Sequence, residues 1–213
     1  MKLKNKVKPA IPQMEPGTYI GLCVGIYAIG EQETTYKDRT RYVEQIIFTF
    51  EFPAVTVEVD GETKPRQLSR TFTASTGERA GLRKLLKTWR GRDFPSSEEM
   101  ADYELTERLG KSALIQVLQN ENGYANIESV IPLPSGMPDP STDTALQSFD
   151  VEAWNDEAFE ALPEWIQEKI KNSTQWKEQH APETAVDFPA APDTEKPTER
   201  AATPRGSVKE APF

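Results

Sequence analysis

Cations and aromatic rings alternate in the stretch TTYKDRTRY, where Tyr36 and Tyr42 flank Lys37, Arg39 and Arg41. Cations can follow phosphate groups, and flat rings are surfaces on which bases stack. Binding of a single-stranded nucleic acid needs both. The alternation therefore predicts a nucleic-acid-binding loop, and the alternative is a charged turn that only faces solvent.

A second row of cations lies in KPRQLSRTFT, which has the composition of a strand. Side chains two residues apart share a face of a strand, so Arg66, Leu68, Arg70 and Phe72 fall on one side. This row could face DNA, or Leu68 and Phe72 could be core residues while the arginines reach out to solvent. Further DNA contacts are predicted at Lys64, Lys111 and Tyr124.

The stretch STGERAGLRKLLKTWRG has the periodicity of a helix, with one apolar face made of Leu82, Leu85, Leu86 and Trp89. Ser75 or Thr76 is predicted to cap its start, and Gly91 to end it. The cations off this face are interpreted as a solvated outer surface: Arg79, Arg83, Lys84, Lys87 and Arg90. Residues 64–92 hold nine basic residues and one acid, an asymmetry that indicates a polyanionic partner.

These residues must be positioned by three strands, a helical insertion and two more strands. Strands are predicted in GTYIGLCVGIYAIG, in YVEQIIFTFEF and on both sides of an Asp60–Gly61 turn, with a final hairpin in KSALIQVLQNENGYANIESVIPL. The order predicts a mainly β fold, a five-stranded OB-fold-like barrel with a helical insertion between strands 3 and 4. A generic α+β sandwich is the alternative.

Proline content divides the chain, because eleven of the seventeen prolines follow residue 130. We predict a basic flexible arm over residues 1–13, a folded domain over 14–134 and a linker over 135–180. The linker contains a short amphipathic helix near 160–172. Residues 181–213 are predicted to be a largely disordered tail that ends in Pro-Phe.

The predicted helix in the linker has an apolar face that must be buried against something. Its spacing places Leu162, Trp165, Ile166 and Ile170 together. The face could pack on the barrel or dock a replication or recombination protein, and we favour docking. Trp165, Ile166 and Ile170 are therefore predicted partner-binding residues.

The net charge of −9 is confined to the last third of the chain. Residues 1–135 hold 18 basic and 18 acidic residues, whereas residues 136–213 hold 7 and 16. An acidic tail can compete with DNA for a basic groove on the DNA-binding domain beside it, which is our hypothesis for the tail.

The sequence offers little for catalysis. Cys23 lies in an apolar strand, His180 lies in a proline-rich stretch, and no Walker-type glycine loop occurs. We expect no enzymatic activity, no metal and no cofactor. No run approaches the roughly 18 apolar residues of a membrane helix. Cys23 is the single cysteine, so no intrachain disulfide can form, which fits a reducing cytoplasm. We therefore predict a cytoplasmic protein, in the bacterial host cytoplasm if a phage encodes it.

Four blocks resemble single-stranded-DNA-binding proteins of bacteriophages and mobile elements: EPGTYIGLCVGI, LRKLLKTWRGRDF, GYANIESVIPLP and FEALPEWIQEKIKNS. The similarity spans about residues 15–175. It implies an OB-fold that coats single-stranded DNA during replication or recombination, but it does not identify the residues that contact DNA.

The final residues also resemble the C-terminal tip of bacterial single-stranded-DNA-binding proteins, an acidic run that finishes on Pro-Phe. This chain has Pro212 and Phe213, but Lys209 stands beside Glu210 where that family is acidic. The resemblance implies that Pro212 and Phe213 bind partner proteins.

The sequence therefore predicts a protein that binds and protects single-stranded DNA without sequence preference in phage or mobile-element replication or recombination. Its tail would recruit partner proteins, no membrane is involved, and homo-oligomerisation is left open. The alternative from another class is a protein-interaction adaptor or inhibitor without DNA binding. A DNA-processing nuclease is the third reading.

Overall fold

The computed structural model describes residues 12–59 and 61–180, apart from the side chain of Tyr36. These residues form a mainly β structure, as predicted. The strands are β1 (Gly17–Tyr36), β2 (Arg39–Val59), β3 (Glu62–Thr73), β4 (Ser112–Gln119), β5 (Ala125–Pro132) and β6 (Gln147–Asp150). The helices are α1 (Gly81–Arg90), α2 (Ser97–Ala101), α3 (Asp156–Glu160), α4 (Glu164–Lys171) and α5 (Thr174–Gln179), with a 3-10 turn at Leu105–Arg108.

The six strands form one sheet in which β1 is central. The order is β3-β2-β1-β4-β5 with antiparallel neighbours, and β6 pairs with β1 in parallel. Among the described residues, no backbone ladder joins the two outer strands, β3 and β5. The sheet is therefore open along this side, which we call the β3–β5 seam.

One face of the sheet and helix α1 enclose the first hydrophobic core. Phe48, Phe50 and Phe52 alternate along β2 and are fully buried, as their period-2 spacing indicates. The predicted apolar face of α1 is confirmed, since Leu82, Leu85, Leu86 and Trp89 are all buried. Each such side chain stabilises the fold by roughly 1.5–3 kcal/mol relative to exposure.

The ends of α1 follow the prediction only in part. Gly91 ends the helix in the left-handed conformation, with φ of 71°, as expected for a glycine C-cap. The predicted caps at Ser75 and Thr76 are wrong. The helix begins five residues after Thr76, behind Ala80, and no side chain caps it.

A second core lies where β6 and helices α3–α5 pack against β1 and β2. It joins Tyr27, Ile29 and Ile47 of the two strands to residues of the C-terminal elements: Phe149, Val151, Phe159, Leu162, Ile166 and Ile170. The segment predicted as a linker over 135–180 is therefore part of the fold, and the boundary at residue 134 is wrong. A helix near 160–172 is confirmed as α4. In the described residues, no helix has the length and apolar character to span a membrane.

The predicted docking role of α4 is corrected for two residues. Ile166 and Ile170 are fully buried in the second core, so a partner reaches them only if the helix detaches. Trp165 is 40% exposed and remains accessible. The apolar face of α4, whose packing partner the sequence did not identify, packs on β1 and β2.

The connection from β5 to β6 is pinned by a buried carboxylate. Glu51 on β2 has no exposed surface, and it accepts hydrogen bonds from the Thr142 and Thr144 hydroxyls and from Gln67 Nε2 at 3.1 Å. A buried charge is tolerated when its oxygens are hydrogen-bonded in this way. Glu51 thus ties residues 142–144 to the middle of the sheet.

Candidate nucleic-acid interface

Residues 31–44 form a two-stranded arm that extends β1 and β2 beyond the second core. We call it the cationic arm after Lys37, Arg39 and Arg41 on one part of its surface, although its four acids give the whole segment a net charge of −1. The stretch predicted as a polar loop is therefore a hairpin. Lys37 and Asp38 make its two-residue turn, with φ of 47° and 61°. Positive φ at both central positions is the geometry of a type I′ turn, which matches the twist of paired strands.

The register of the arm separates its side chains into two faces. Arg39 and Arg41 stand opposite Tyr36 and Thr34, on the same face of the hairpin. Both arginines are exposed, and among the described residues no carboxylate forms an ion pair with either. Alternate residues of a strand are about 7 Å apart, so this face presents two guanidinium groups in a row.

The other face of the arm is acidic and carries an exposed ring. Tyr42 is 57% exposed and donates a hydrogen bond to Glu33 at 3.4 Å, while Glu31 pairs with Glu44 on the same face. A cleft of about 420 Å³ separates Tyr42 and Glu31 from α5. The predicted pattern of cations and aromatic rings is therefore present, but Tyr42 projects from the other face of the hairpin than Arg39 and Arg41.

The base of the arm is held by the C-terminal helices. The Glu31 amide donates to Gln175 Oε1 at 2.9 Å, and Gln32 Nε2 donates to the carbonyls of Ile29 at 2.8 Å and Lys169 at 3.1 Å. Helix α5 is in turn fixed by aromatic packing, with Trp176 5.2 Å from both the Trp154 and the Phe159 ring. The segment from Trp154 to Trp176, which contains α3, α4 and α5, thus orients the arm.

A bulge at Gly30 sets the direction of the arm. The β1–β2 register shifts between Ala28 and Glu31, and Gly30 has φ of +74°. A Cβ placed there would lie 2.6 Å from Gln175 Oε1 and 3.0 Å from Val151 Cγ1. Glycine is required for the backbone conformation and for the close approach of α5.

Gly30→Ala is expected to destabilise the protein, because it strains the bulge and pushes α5 away from the arm. The left-handed conformation alone costs an alanine roughly 1–2 kcal/mol. Gly61→Ala is the matched control, since Gly61 has φ of +84° but no atom within 4 Å of an added Cβ. Urea unfolding should show a larger loss for Gly30→Ala. Equal losses would mean that the contact with α5 contributes nothing.

The second predicted site, on β3, faces the core side of the sheet. Phe72 is 6% exposed and packs in the first core, so its prediction as a DNA contact is wrong. Arg70 is half-buried, lies 5.1 Å from the Phe72 ring and donates from Nη1 to the carbonyls of Ile127 and, at 2.9 Å, Glu128. Period-2 alternation identified the shared face, but that face points inward.

Arg70 bridges the β3–β5 seam where the backbone ladder is missing. The pairings make β3 and β5 run in the same direction. Arg66 lies four residues before Arg70, and Tyr124 three residues before Ile127, so both lie towards the same end of the seam. The structure therefore brings Arg66 and Tyr124 to one region.

Arg66 and Tyr124 have the properties of ligand contacts. Arg66 is half-buried, burial lowers its pKa, and its Nε has no hydrogen-bond partner among the described residues. Tyr124 is 59% exposed and lies in the turn of the confirmed β4–β5 hairpin, directly before β5. Lys64 is exposed and forms an ion pair with Glu62 at 2.7 Å, which leaves it the weaker candidate.

Farther along the seam, a cleft of about 310 Å³ opens between β3, β5 and α1. Its walls include Arg70, Lys84 and Thr88, and Glu128 is the acid among them. Lys84 is exposed, as the predicted solvated face of α1 requires. The cleft extends the cationic surface of the seam from strand to helix.

Arg83 was interpreted as a solvated cation and is in fact buried. Its guanidinium donates to Asp93 Oδ1 at 3.0 Å and to the carbonyls of Phe94 at 2.7 Å and Thr76 at 3.1 Å. This set ties α1 to the segments before and after it. The apolar face of α1 did not indicate that Arg83 is buried, because Arg83 is buried by polar contacts and not by the leucines.

The pKa of Asp93 is lowered to about 2 by hydrogen bonds from Lys87, Arg83 and the Phe94 amide. A depressed carboxyl pKa stabilises the fold above the unfolded-state pKa, near 3.9, and that contribution is lost as the pH falls through the folded-state value. We expect the thermal midpoint to fall between about pH 4 and 2, and to fall less steeply in Asp93→Asn. If the thermal midpoints of the wild type and of Asp93→Asn fell equally with pH, protonation of Asp93 would not contribute to the acid destabilisation.

The remaining predicted contacts lie elsewhere. Lys111 is exposed on a separate cleft beside β4. The Lys37 backbone is at the arm's tip, whereas Pro212 and Phe213 lie outside the described residues. The structure thus groups Tyr36, Lys37, Arg39 and Arg41 on the arm, and Arg66 with Tyr124 at the seam.

Two observations concern metal ligands and the thiol of the described residues. No group of three or more His, Cys, Asp or Glu residues among them is arranged to hold a metal ion. Burial raises the pKa of Cys23 to about 12, which keeps this thiol protonated and unreactive at neutral pH. What the surface can do is bind anions and flat rings. Comparison with protein-family models, with curated proteins and with solved structures gave no match.

Proposed function

We propose that this protein binds single-stranded DNA without sequence preference, as a non-enzymatic protein of phage or mobile-element replication or recombination. The observation that carries the proposal is the cationic arm, where Arg39 and Arg41 are exposed on one face without an acidic partner in the described residues. Two unneutralised guanidinium groups on a braced hairpin are suited to phosphate oxygens, which accept bidentate hydrogen bonds from arginine.

The strand order supports an OB-like barrel as the framework. β1 pairs with both β2 and β4, and α1 lies between the third and fourth strands. These pairings agree with the strand order of the OB-fold, whose 1–2 and 4–5 loops contact oligonucleotides, but the β3–β5 pairing that would close a barrel is absent from the described residues. Here the cationic arm is the 1–2 connection and Tyr124 belongs to the 4–5 connection. On the open side, Arg70 takes the place of backbone pairing between β3 and β5.

The strand would contact both elements. Phosphates would follow Arg39 and Arg41 on the arm and Arg66 at the seam, and a base would stack on Tyr124. Stacking is worth roughly 1–3 kcal/mol per base, and every base has a face to stack, so this binding is tolerant of sequence. Each phosphate contact lowers affinity as salt rises, with a slope of about −0.7 for single strands.

The test is a titration of fluorescent oligo-dT, and of a duplex of the same length, at several salt concentrations. We expect tighter binding to the single strand and a linear decrease of log affinity with log salt. Equal or tighter binding to duplex, or binding that salt does not change, would falsify the proposal. No binding to either would favour the adaptor, and cleavage of the oligonucleotide with magnesium would favour the nuclease. Partner recruitment through Pro212 and Phe213 stays a prediction.

A further inference from the structure

Two arginines, Arg90 at the end of α1 and Arg108 at the end of the 3-10 turn, lie over one tyrosine ring without an acidic partner among the described residues. The Arg90 guanidinium carbon is 5.0 Å from the centre of the Tyr103 ring, and that of Arg108 is 5.8 Å from it. Each also lies over a second ring, Arg90 at 3.9 Å from Phe94 and Arg108 at 5.6 Å from Trp89. Neither forms an ion pair with a carboxylate of the described residues.

Three buried polar atoms of this cluster make no hydrogen bond of good geometry in the described structure: Arg90 Nη1, Tyr103 Oη and Arg108 Nε. Burial raises the pKa of Tyr103, and a contact of its hydroxyl with the Arg108 side chain partly offsets that rise. An unpaired buried polar atom costs roughly 1–3 kcal/mol, and more when the group is charged. Such atoms are normally paired with protein, water or a ligand. The two guanidinium groups are thus held against aromatic rings with no carboxylate of the described residues to neutralise them.

Arg108 also lines an open cleft, and Lys111 stands on the same rim. The cleft has a volume of about 410 Å³, and its lining also includes Trp89 and the segment from Pro132 to Met137. Trp89 is held in place by a bond from Nε1 to the Ser112 carbonyl at 3.4 Å. The one acid among the lining residues is Asp139, whose Oδ1 accepts from the Ser112 hydroxyl.

We infer that this cleft is a phosphate subsite in which Arg108 and Lys111 bind one phosphate group. The two cations outnumber the single carboxylate, and the volume accommodates a phosphate with its ester substituents. Arg108 supplies a planar fork held by the Trp89 and Tyr103 rings, which reduces the conformational entropy lost on binding. Resting on the proposed function, the phosphate is a phosphodiester of the bound single strand.

The direct test observes the arginine Nε–H groups of the full chain by two-dimensional NMR. Inorganic phosphate is added in one titration and oligo-dT in another, with sodium chloride at equal ionic strength as the control. Arg108→Lys identifies the Arg108 resonance by its loss. We expect phosphate and oligo-dT to shift this resonance and chloride to leave it. An Arg108 resonance that neither ligand moves would overturn the inference.

Affinity for oligo-dT gives the second test. Lys111→Gln is exposed and should fold normally, so a loss of about five- to tenfold, with a salt slope shallower by about 0.7, is attributable to the lost contact. Lys169→Gln is the control, because it removes an exposed charge on α4. If oligo-dT binds and Lys111→Gln behaves like the control, the subsite is wrong and the proposed function stands. If phosphate shifts Arg108 but oligo-dT does not bind, the function is wrong and the subsite stands.

Discussion

Replacing Arg39 and Arg41 with glutamine should lower the affinity for oligo-dT by roughly 100-fold at about 50 mM salt, because each lost charge-assisted contact is worth roughly 1.5 kcal/mol. The salt slope should become shallower by about 1.4, since two phosphate contacts are removed at about 0.7 each. Both residues are exposed on the hairpin, so folding should be unaffected. Anisotropy titrations across a salt series measure both quantities.

The matched control is Arg92→Gln with Lys169→Gln. This pair changes the net charge by the same amount, and both residues are exposed and without ion pairs among the described residues. If binding depended only on overall charge, the two double variants would lose affinity equally. A loss in the arm variant no larger than in the control would remove the arm from the interface.

Ile166→Ala is expected to destabilise the protein by about 2–5 kcal/mol. Ile166 is fully buried among β1, β2 and the C-terminal elements, so the substitution removes apolar contacts and leaves a cavity. A domain of this size is stable by only about 5–15 kcal/mol, and Ile170→Ala on the same face should add a comparable loss. Urea denaturation followed by circular dichroism measures the effect.

Trp165→Ala on the same helix is the comparison, because Trp165 is 40% exposed and lies outside the second core, so its replacement should cost less. Helix α4 could either dock a partner or pack on the sheet, and the two roles predict different effects of Ile166→Ala on stability. A docking helix would tolerate Ile166→Ala with unchanged stability, whereas a packed helix would not. A loss below about 0.5 kcal/mol for Ile166→Ala would contradict the second core.

Destabilising the second core should also affect binding through the arm. Gln175 on α5 and the Lys169 carbonyl on α4 hold Glu31 and Gln32 at the base of the hairpin. Release of these helices would leave the arm attached only by its own two-stranded ladder, and an isolated hairpin is marginally stable. In the proposed function, helices α4 and α5 would therefore act as a support for Arg39 and Arg41.

Periodicity predicted the parts of the structure that are buried by apolar side chains alone. Phe48, Phe50 and Phe52 alternate on β2, and the leucines of α1 recur at helical spacing, so both elements were foreseeable. The β4–β5 hairpin was equally clear from its turn residues. In each case one local pattern determines both the element and its buried face.

The features that the sequence did not reveal depend on partners distant in the chain. Strand β6 has four residues and pairs with β1 in parallel, too short for an alternation to appear. Arg83 is buried because Asp93 and two carbonyls satisfy it. The alternation in β3 grouped Arg70 with Phe72, but only the position of the core decides that this face points inward.

The arm was missed for a different reason. Its residues are polar on both faces, so they carry no hydrophobic alternation, and its turn is Lys37–Asp38 where Asn-Gly would have been the stronger signal. The long ladder with β2 and the contacts to α5 make it a strand pair. The sequence therefore predicted a loop for Lys37, Arg39 and Arg41, whereas the structure places them on a paired hairpin.

Arginine-specific chemical modification, read by mass spectrometry with and without oligo-dT, tests the binding surface most directly. Arg39 and Arg41 should react readily in the free protein and be protected by oligo-dT at low salt, with protection lost as salt rises. Two residues of the same chain calibrate the experiment: exposed Arg92 should react in both states, and buried Arg83 in neither. Equal reactivity of Arg39 and Arg41 with and without bound oligo-dT would contradict the account.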